Sequence, residues 1–309
     1  MGGMCDAVLL IAFGGPESMD DVRPFLANVV RGRPIPPERL EEVVHHYERI
    51  GGRSPLNERT FEQAAALRAQ LGERGPRLPV YVGMRNWRPY LRDTLAEMQR
   101  DGVRRALGVI LAAQQSEASW GRYQRDVVGA RAELDGAAPE VEFAPGWHAH
   151  PLFVEAVADR VRTAVHTLPE ERQATAALIF TAHSIPSAMA AEAPYEAQLR
   201  AGAAAVAARL GGRAHTLAYQ SRSGNPREPW LEPDIADAVR AAAARGVRDV
   251  VVAPLGFICD HVEVLYDLDV EARAVAESLG IGFVRAPTVN DHPSFIRMLA
   301  EIVAGHAGP

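Results

Sequence analysis

Three carboxylates recur at four-residue intervals in DHVEVLYDLDVE (260–271): Glu263, Asp267 and Glu271. At about 100° per residue, a helix would carry them along one stripe within an arc of roughly 80°. Like charges at that spacing oppose helix formation by about 0.2–0.5 kcal/mol per pair. No basic residue lies inside the stretch to relieve them. On a solvated face such a run would need no explanation, and most charge runs are solvated. Here, however, Val262, Val264, Leu265, Tyr266, Leu268 and Val270 fill the intervening positions almost all round, the pattern of a mostly buried helix. Buried carboxylates without basic neighbours either hold protons or await a metal cation.

A second chemical group ends an apolar run. AALIFTAHSIP closes on His183 and turns through Ser184 and Pro186. A histidine at the carboxyl end of a strand sits where α/β enzymes work, and imidazole exchanges a proton near neutral pH. Capping of the next helix is the plainer role for the same position. HHYERIGGRSPLN (45–57), with VVRGRP (29–34) before it, offers Arg, Tyr and Ser side chains that could bind carboxylates, although an ordinary polar loop has the same composition. In QSEASWGRYQRD (115–126), Trp120 and Tyr123 stand three apart, a spacing more common in a core than in a ligand-stacking face.

These groups need a scaffold, and the chain is long enough for two α/β domains of about 150 residues. Apolar runs predict strands at 7–15, 78–84, 106–112, 141–145, 176–184, 215–221, 249–257 and 280–286, separated by helical patterns. That alternation signals βαβ units, and the nearly continuous apolar runs signal parallel strands covered on both faces. Residues 82–112 and 219–256 repeat one order: strand, Pro-aromatic-Leu, helix, Gly-Val, strand. The offset is 140 at Leu91 and Leu231, and 144 at Gly102 and Gly246. Two similar halves follow, 1–150 and 151–309, with a boundary near GWHAHP (146–151).

Composition narrows the chemistry. All 33 basic residues are Arg, which removes Schiff-base chemistry and a Walker-type phosphate loop, since both need a lysine amine. A net charge of -6 without a basic block argues against nucleic acid. Cys5 and Cys259 are isolated and too few for a four-thiolate metal site. AVLLIAF is too short to span a bilayer, so the protein is expected to be soluble and cytoplasmic. No G-x-G-x-x-G, H-E-x-x-H or G-x-S-x-G is present, which argues against a nucleotide-dependent oxidoreductase, a zinc protease or an α/β-hydrolase.

Taken together, LLIAFGGP, YERIGGRSPLN, FTAHSIP, YQSRSGNPREPWLEPDI, PLGFICDHVEVLYDLDVE and RAPTVND resemble the ferrochelatases, in order and over nearly the whole chain. The resemblance implies a class II chelatase-like α/β fold of two Rossmann-like domains with parallel sheets flanked by helices, the last helix returning to the first domain. It implies a lyase of haem biosynthesis that inserts Fe²⁺ into coproporphyrin III or protoporphyrin IX. The catalytic and metal-contacting pair falls on His183 and Glu263. Asp267 and Glu271 continue an acidic relay on a helix widened to π form. Porphyrin contacts fall on Phe13, Arg31, His46, Tyr47, Ser54 and Tyr123.

Departures carry expectations too. Many relatives have Tyr where Phe13 stands, so a metal contact from that hydroxyl is expected to be missing. Val30 and His46 replace basic residues of some coproporphyrin-using relatives, and Gln114 follows a Gln-bearing version of its loop. No iron–sulfur cluster and no resident cofactor are expected, with Fe²⁺ entering as substrate. The partners are the porphyrin and Fe²⁺, the chain is expected to act as a monomer, and peripheral membrane contact is left open. A haem carrier of the same fold, or a chelatase for another tetrapyrrole, fits the fold equally; the carrier would need no proton relay. Metallation removes two pyrrole protons, for which His183 in its neutral form would be the base and the acids the proton exit. Binding the macrocycle bent would expose its nitrogen lone pairs.

Overall fold

A computed structural model describes residues 5–32, 36–134, 137–223 and 227–307. Arg33 and Pro34 of VVRGRP, and Gly224 to Pro226 of YQSRSGNPREPW, lie outside the described residues. All eight expected strands form: β1 (Ala7–Ala12), β2 (Val80–Met84), β3 (Arg105–Ile110), β4 (Glu140–Phe143), β5 (Ala177–His183), β6 (His215–Gln220), β7 (Asp249–Ala253) and β8 (Gly282–Arg285). They make two four-stranded sheets, ordered β2-β1-β3-β4 and β6-β5-β7-β8, and every pairing is parallel. Each residue of β1 and of β7 is buried, which is why β1 and residues 250–253 of β7 read as apolar runs, while buried Asp249 is paired with Arg172.

In each sheet the chain leaves the first strand towards one edge and returns to build the other side. The strand order therefore reverses between β1 and β3 and again between β5 and β7. Outside the carboxyl ends of such a pair lies the crevice where open α/β sheets bind ligands. The chain divides into two compact units. The first takes Met1–Ala112, Ala118–Gly146 and Asp291–Pro309, and the second takes Ala113–Glu117 and Trp147–Asn290. The last helix, Pro293–Ala304, belongs to the first unit and packs on Leu56–Arg74.

The internal repeat is visible in the backbone, with one correction. Helices Leu91–Arg100 and Ile235–Ala244 begin at equivalent points, so Leu91 matches Ile235 and not Leu231. The offset is thus 144 there, as it is for Gly102 and Gly246, whose φ values are +80° and +81°. Pro89 O accepts from Met84 N at 2.8 Å, and Pro233 O accepts from Tyr219 N at 2.9 Å. The Pro-aromatic-Leu match misleads because the second half carries extra residues before its equivalent proline. Cys5 and Cys259 are both buried and form no disulfide. No described helix is long and apolar enough to cross a membrane.

Candidate active site

The second unit places its chemistry at the reversal of its sheet. His183 is the last residue of β5, and the acidic segment follows β7, the neighbouring strand. The link after β7 passes so near β5 that a Cβ on Gly256 would stand 2.5 Å from the Ala182 Cβ. Only glycine allows that approach, and Gly256 N donates to Thr181 O at 2.9 Å. The turn thus runs directly over the strand end carrying His183.

Beyond it, helix Val262–Leu265 starts with the His261 imidazole accepting from Glu263 N at 3.3 Å. Gln220, last residue of β6, donates its Nε2 to Glu263 O at 2.6 Å. The helix then widens into a π segment, Asp267–Ala272. Glu271 N reaches back five residues to Tyr266 O at 3.0 Å, and Val270 N shares the same acceptor at 3.0 Å. Four residues overshoot an α turn of 3.6 by about 40°. The i→i+5 turn holds about one residue more, so four residues fall short of it by a similar angle. The step from Glu263 to Asp267 therefore rotates one way, and the step to Glu271 rotates back. The stripe is straighter than a regular α-helix would make it.

His183 Nε2 lies 3.6 Å from Glu263 Oε1, and the two side chains keep 31% and 37% of their exposure. They are an ion pair open to a ligand. The other ring nitrogen, Nδ1, donates to Ser184 O, which fixes Nε2 as the nitrogen facing Glu263. Tyr195 Oη donates to His183 O at 2.9 Å and steadies the backbone from below. Burial alone would push the imidazole down. Glu263 opposes it, with help from Ser184 O and Asp267, and the result is pushed up to about 9. The Glu263 carboxylate thus favours the imidazolium form of His183 in the resting site. The carboxylates beside the ring hold a proton on it, so His183 becomes the neutral base expected of it only once that proton is withdrawn.

Burial, then the charges of Glu263 and Glu271, lift Asp267 to about 7, against the Ser221 hydroxyl that donates to it. A carboxyl poised there can both take and release a proton near neutrality. Burial lowers His261, whose ring packs against Phe257 at a tilt of 59° with centroids 4.9 Å apart. The residues that sequence reading missed are Ser221, Gln220, His261 and Tyr195. Ser221 alone leaves a structural trace, a φ of +61°, which a serine in sequence does not announce.

The first unit gathers Phe13, Tyr47 and Tyr123, three of the residues expected to hold the porphyrin, into a largely buried aromatic cluster. Phe13 follows β1 and stands edge-on to Phe25 at 6.2 Å, and Phe25 meets Tyr47 at 6.4 Å and Trp87 at 6.1 Å. The Arg85 guanidinium lies 4.6 Å from the Tyr123 ring centre and 5.9 Å from that of Phe13. Phe13, Tyr47 and Tyr123 thus join one aromatic cluster. Ser54 is buried beside Gly15, where a Cβ would stand 2.9 Å from its side chain. Arg31 and His46 are not drawn into the cluster. Arg31 is exposed and bonds the neutral Asn28 amide at 2.8 Å, and His46 is half-buried and lowered mainly by burial. Among the described residues, no group of three or more His, Cys, Asp or Glu could hold a metal ion.

A ferrochelatase family model matches residues 5–307. The chain belongs to the ferrochelatase family. Among its relatives, the coproporphyrin III ferrochelatases of Mycolicibacterium smegmatis and Nocardia farcinica are both 46% identical to it. The alignments cover 96% and 97% of this chain and 88% of each relative. The sirohydrochlorin chelatase SirB of Bacillus subtilis, solved with cobalt, shares the fold, with a TM-score of 0.58 at 9% identity over 98% of this chain and 96% of that one. As a ferrochelatase, the protein is an enzyme that inserts ferrous iron into a porphyrin in haem biosynthesis.

Proposed function

We propose that the porphyrin is coproporphyrin III and that His183, Glu263, Asp267 and Glu271 carry out its metallation. The observation that bears most weight is the 3.6 Å approach of His183 Nε2 to Glu263 Oε1 at the mouth of the second sheet. Insertion exchanges two pyrrole protons for one Fe²⁺, so two protons must leave as the dication enters. Glu263 takes the proton from the resting imidazolium, freeing the Nε2 lone pair. Once Glu263 has passed that proton on to Asp267 and Glu271, His183 accepts the first pyrrole proton, hands it along the same acids, and then accepts the second. His183 and Glu263 also give the incoming iron one nitrogen and one oxygen donor. Asp267, held near neutrality, discharges the relay without stranding a buried charge.

The porphyrin for which the two relatives are named supports coproporphyrin III. So does the first unit, where half-buried Phe13 at the edge of the aromatic cluster can meet a flat ring. Arg31, bonded to a neutral amide, and Arg88, 5.6 Å from the Trp87 ring centre, can meet propionates. A cavity of about 680 Å³ on the second unit is a poor place for propionates, because Glu117, Glu192 and Glu228 line it; neither His183 nor Glu263 does. The enzyme is proposed to work as a single chain in the cytoplasm with no resident cofactor; two isolated cysteines are too few to give an iron–sulfur cluster four thiolates.

Anaerobic turnover of Fe²⁺ with coproporphyrin III and protoporphyrin IX, side by side, tests the substrate. A kcat/KM at least tenfold higher for coproporphyrin III is expected. Equal or reversed preference overturns that assignment, and haem binding without insertion on either porphyrin overturns the catalytic one.

A further inference from the structure

Opposite the acidic stripe, the same segment is tied to β8 by a second set of charges. Arg285, the last residue of β8, places Nε 2.9 Å from both Asp269 oxygens and Nη1 3.0 Å from Asp260 Oδ1. Thr288 Oγ1 donates to the same Asp260 oxygen at 3.1 Å. Asp269 lies inside the π segment between Asp267 and Glu271, and Asp260 lies three residues before Glu263. One guanidinium therefore grips the acidic run on both sides of Glu263. Arg273 adds a second tie: it is 3.6 Å from Asp269, donates to Phe283 O at 3.1 Å and lies 5.0 Å from the Phe283 ring centre.

The side chains of Arg285, Asp260 and Asp269 keep only 13%, 18% and 27% of their exposure. Two carboxylates share this one well-buried cation, with the more exposed Arg273 at the edge of the set. Desolvation offsets most of the attraction in such sets, and fixing a register is their best-attested use. A register is what the acidic segment lacks by itself, because a π turn is rare and α-helix is the competing form.

We propose that Arg285 is a positioning residue whose fork, spanning Asp260 and Asp269, sets the register of the π segment and so the spacing of Glu263, Asp267 and Glu271. The proposal rests on reading those three acids as the relay. A guanidinium suits the task because it is planar and presents fixed donors to two carboxylates; an ammonium is a point charge and cannot span both in fixed geometry. Outer partners of reacting groups contribute about 10- to 100-fold, and a displacement of about 1 Å can cost 10²-fold.

The test measures Fe²⁺ insertion with Arg285→Gln, Arg285→Lys and Asp269→Asn, each normalised to porphyrin-binding sites counted by fluorescence titration. In every variant kcat per site is expected to fall about 10- to 100-fold while porphyrin affinity stays within about twofold. Arg285→Lys is expected to recover the melting temperature lost by Arg285→Gln but not its kcat. Asp269→Asn keeps shape and volume, so it reports even if the Arg285 variants fold poorly. Unchanged kcat per site, an equal loss of affinity, or full rescue of kcat by lysine overturns the proposal. Glu263→Gln in the same assay separates the layers. If it is impaired while the Arg285 and Asp269 variants are normal, only the positioning role fails; if it is normal, the relay fails and the positioning role with it.

Discussion

The two units run the same backbone program and end it with opposite chemistry. In each, a buried strand feeds a turn at the reversal of a parallel sheet. After the third strand of each sheet the chain passes through a π turn, Glu117–Gly121 after β3 and Asp267–Ala272 after β7. The first strand of the first sheet leads to Phe13, and that of the second ends on His183. The first π turn leads to Tyr123 beneath Arg85, and the second carries Asp267 and Glu271. One scaffold thus ends in a buried aromatic cluster about Arg85, and the other in an imidazole and carboxylate pair beside a row of acids. The comparison teaches that the scaffold supplies location, while a few side chains at strand ends and π turns supply the reaction.

If the division is right, changes in the second unit should strike kcat and changes in the first should strike binding. The largest effect is expected for His183→Ala. Removing the base should lower iron insertion by at least about 10²-fold, with far-UV circular dichroism and porphyrin fluorescence titration unchanged. Near-normal turnover in that variant breaks the comparison at its centre. Glu263→Gln is next: kcat should drop by about 10²-fold with porphyrin affinity changed less than twofold, measured by steady-state insertion and titration. Equal losses would make Glu263 a structural residue.

Smaller effects sharpen the contrast from the other side. Arg31→Ala should raise the coproporphyrin KM by about fivefold or less and leave kcat alone, since an exposed ionic contact contributes about 0–1 kcal/mol. A loss confined to kcat would move Arg31 out of the binding surface. The smallest effect concerns stability and pH. Asp267 is raised from 3.8 to about 7, so the folded protein binds its proton more tightly than the unfolded chain does. Its contribution is therefore fully present below about pH 4 and is lost as pH rises to about 7. His183, raised from 6.5 to about 9, adds a further decline across that higher window. Asp267→Asn should be comparable to the parent at pH 4 and more stable at pH 8, with a melting temperature higher by about 2–4 °C per kcal/mol regained. A melting difference that does not grow with pH would contradict the raised carboxyl.

Much of the scaffold was legible because it obeys local rules. Strands covered on both faces must be apolar throughout, so β1, β5 and β7 stand out as runs. The stripe was legible because four-residue spacing among apolar neighbours is a pattern within one segment. The π form was available only through family resemblance, since four-residue spacing fits an α-helix as well. The register of the repeat misleads at Leu231 because local similarity cannot weigh inserted residues against the first turn of a helix. Arg285 was invisible for another reason: its partners Asp260 and Asp269 lie 25 and 16 residues away and meet it only through the β7–β8 pairing.

By itself the sequence determined what the groups are. It holds one imidazole at the end of an apolar strand, a row of acids with no cation among them, arginine without lysine, and the periodicities of two α/β halves. Those are properties of residue type and near spacing, which short-range sterics and burial can act on. Only the tertiary structure decided that His183 and Glu263, 80 residues apart, face each other at 3.6 Å. That contact follows from the pairing of β5 with β7 and from a glycine close enough to Ala182 to exclude a side chain. The state of the imidazole was decided there as well, because its affinity for a proton depends on a carboxylate that chain order alone leaves far away.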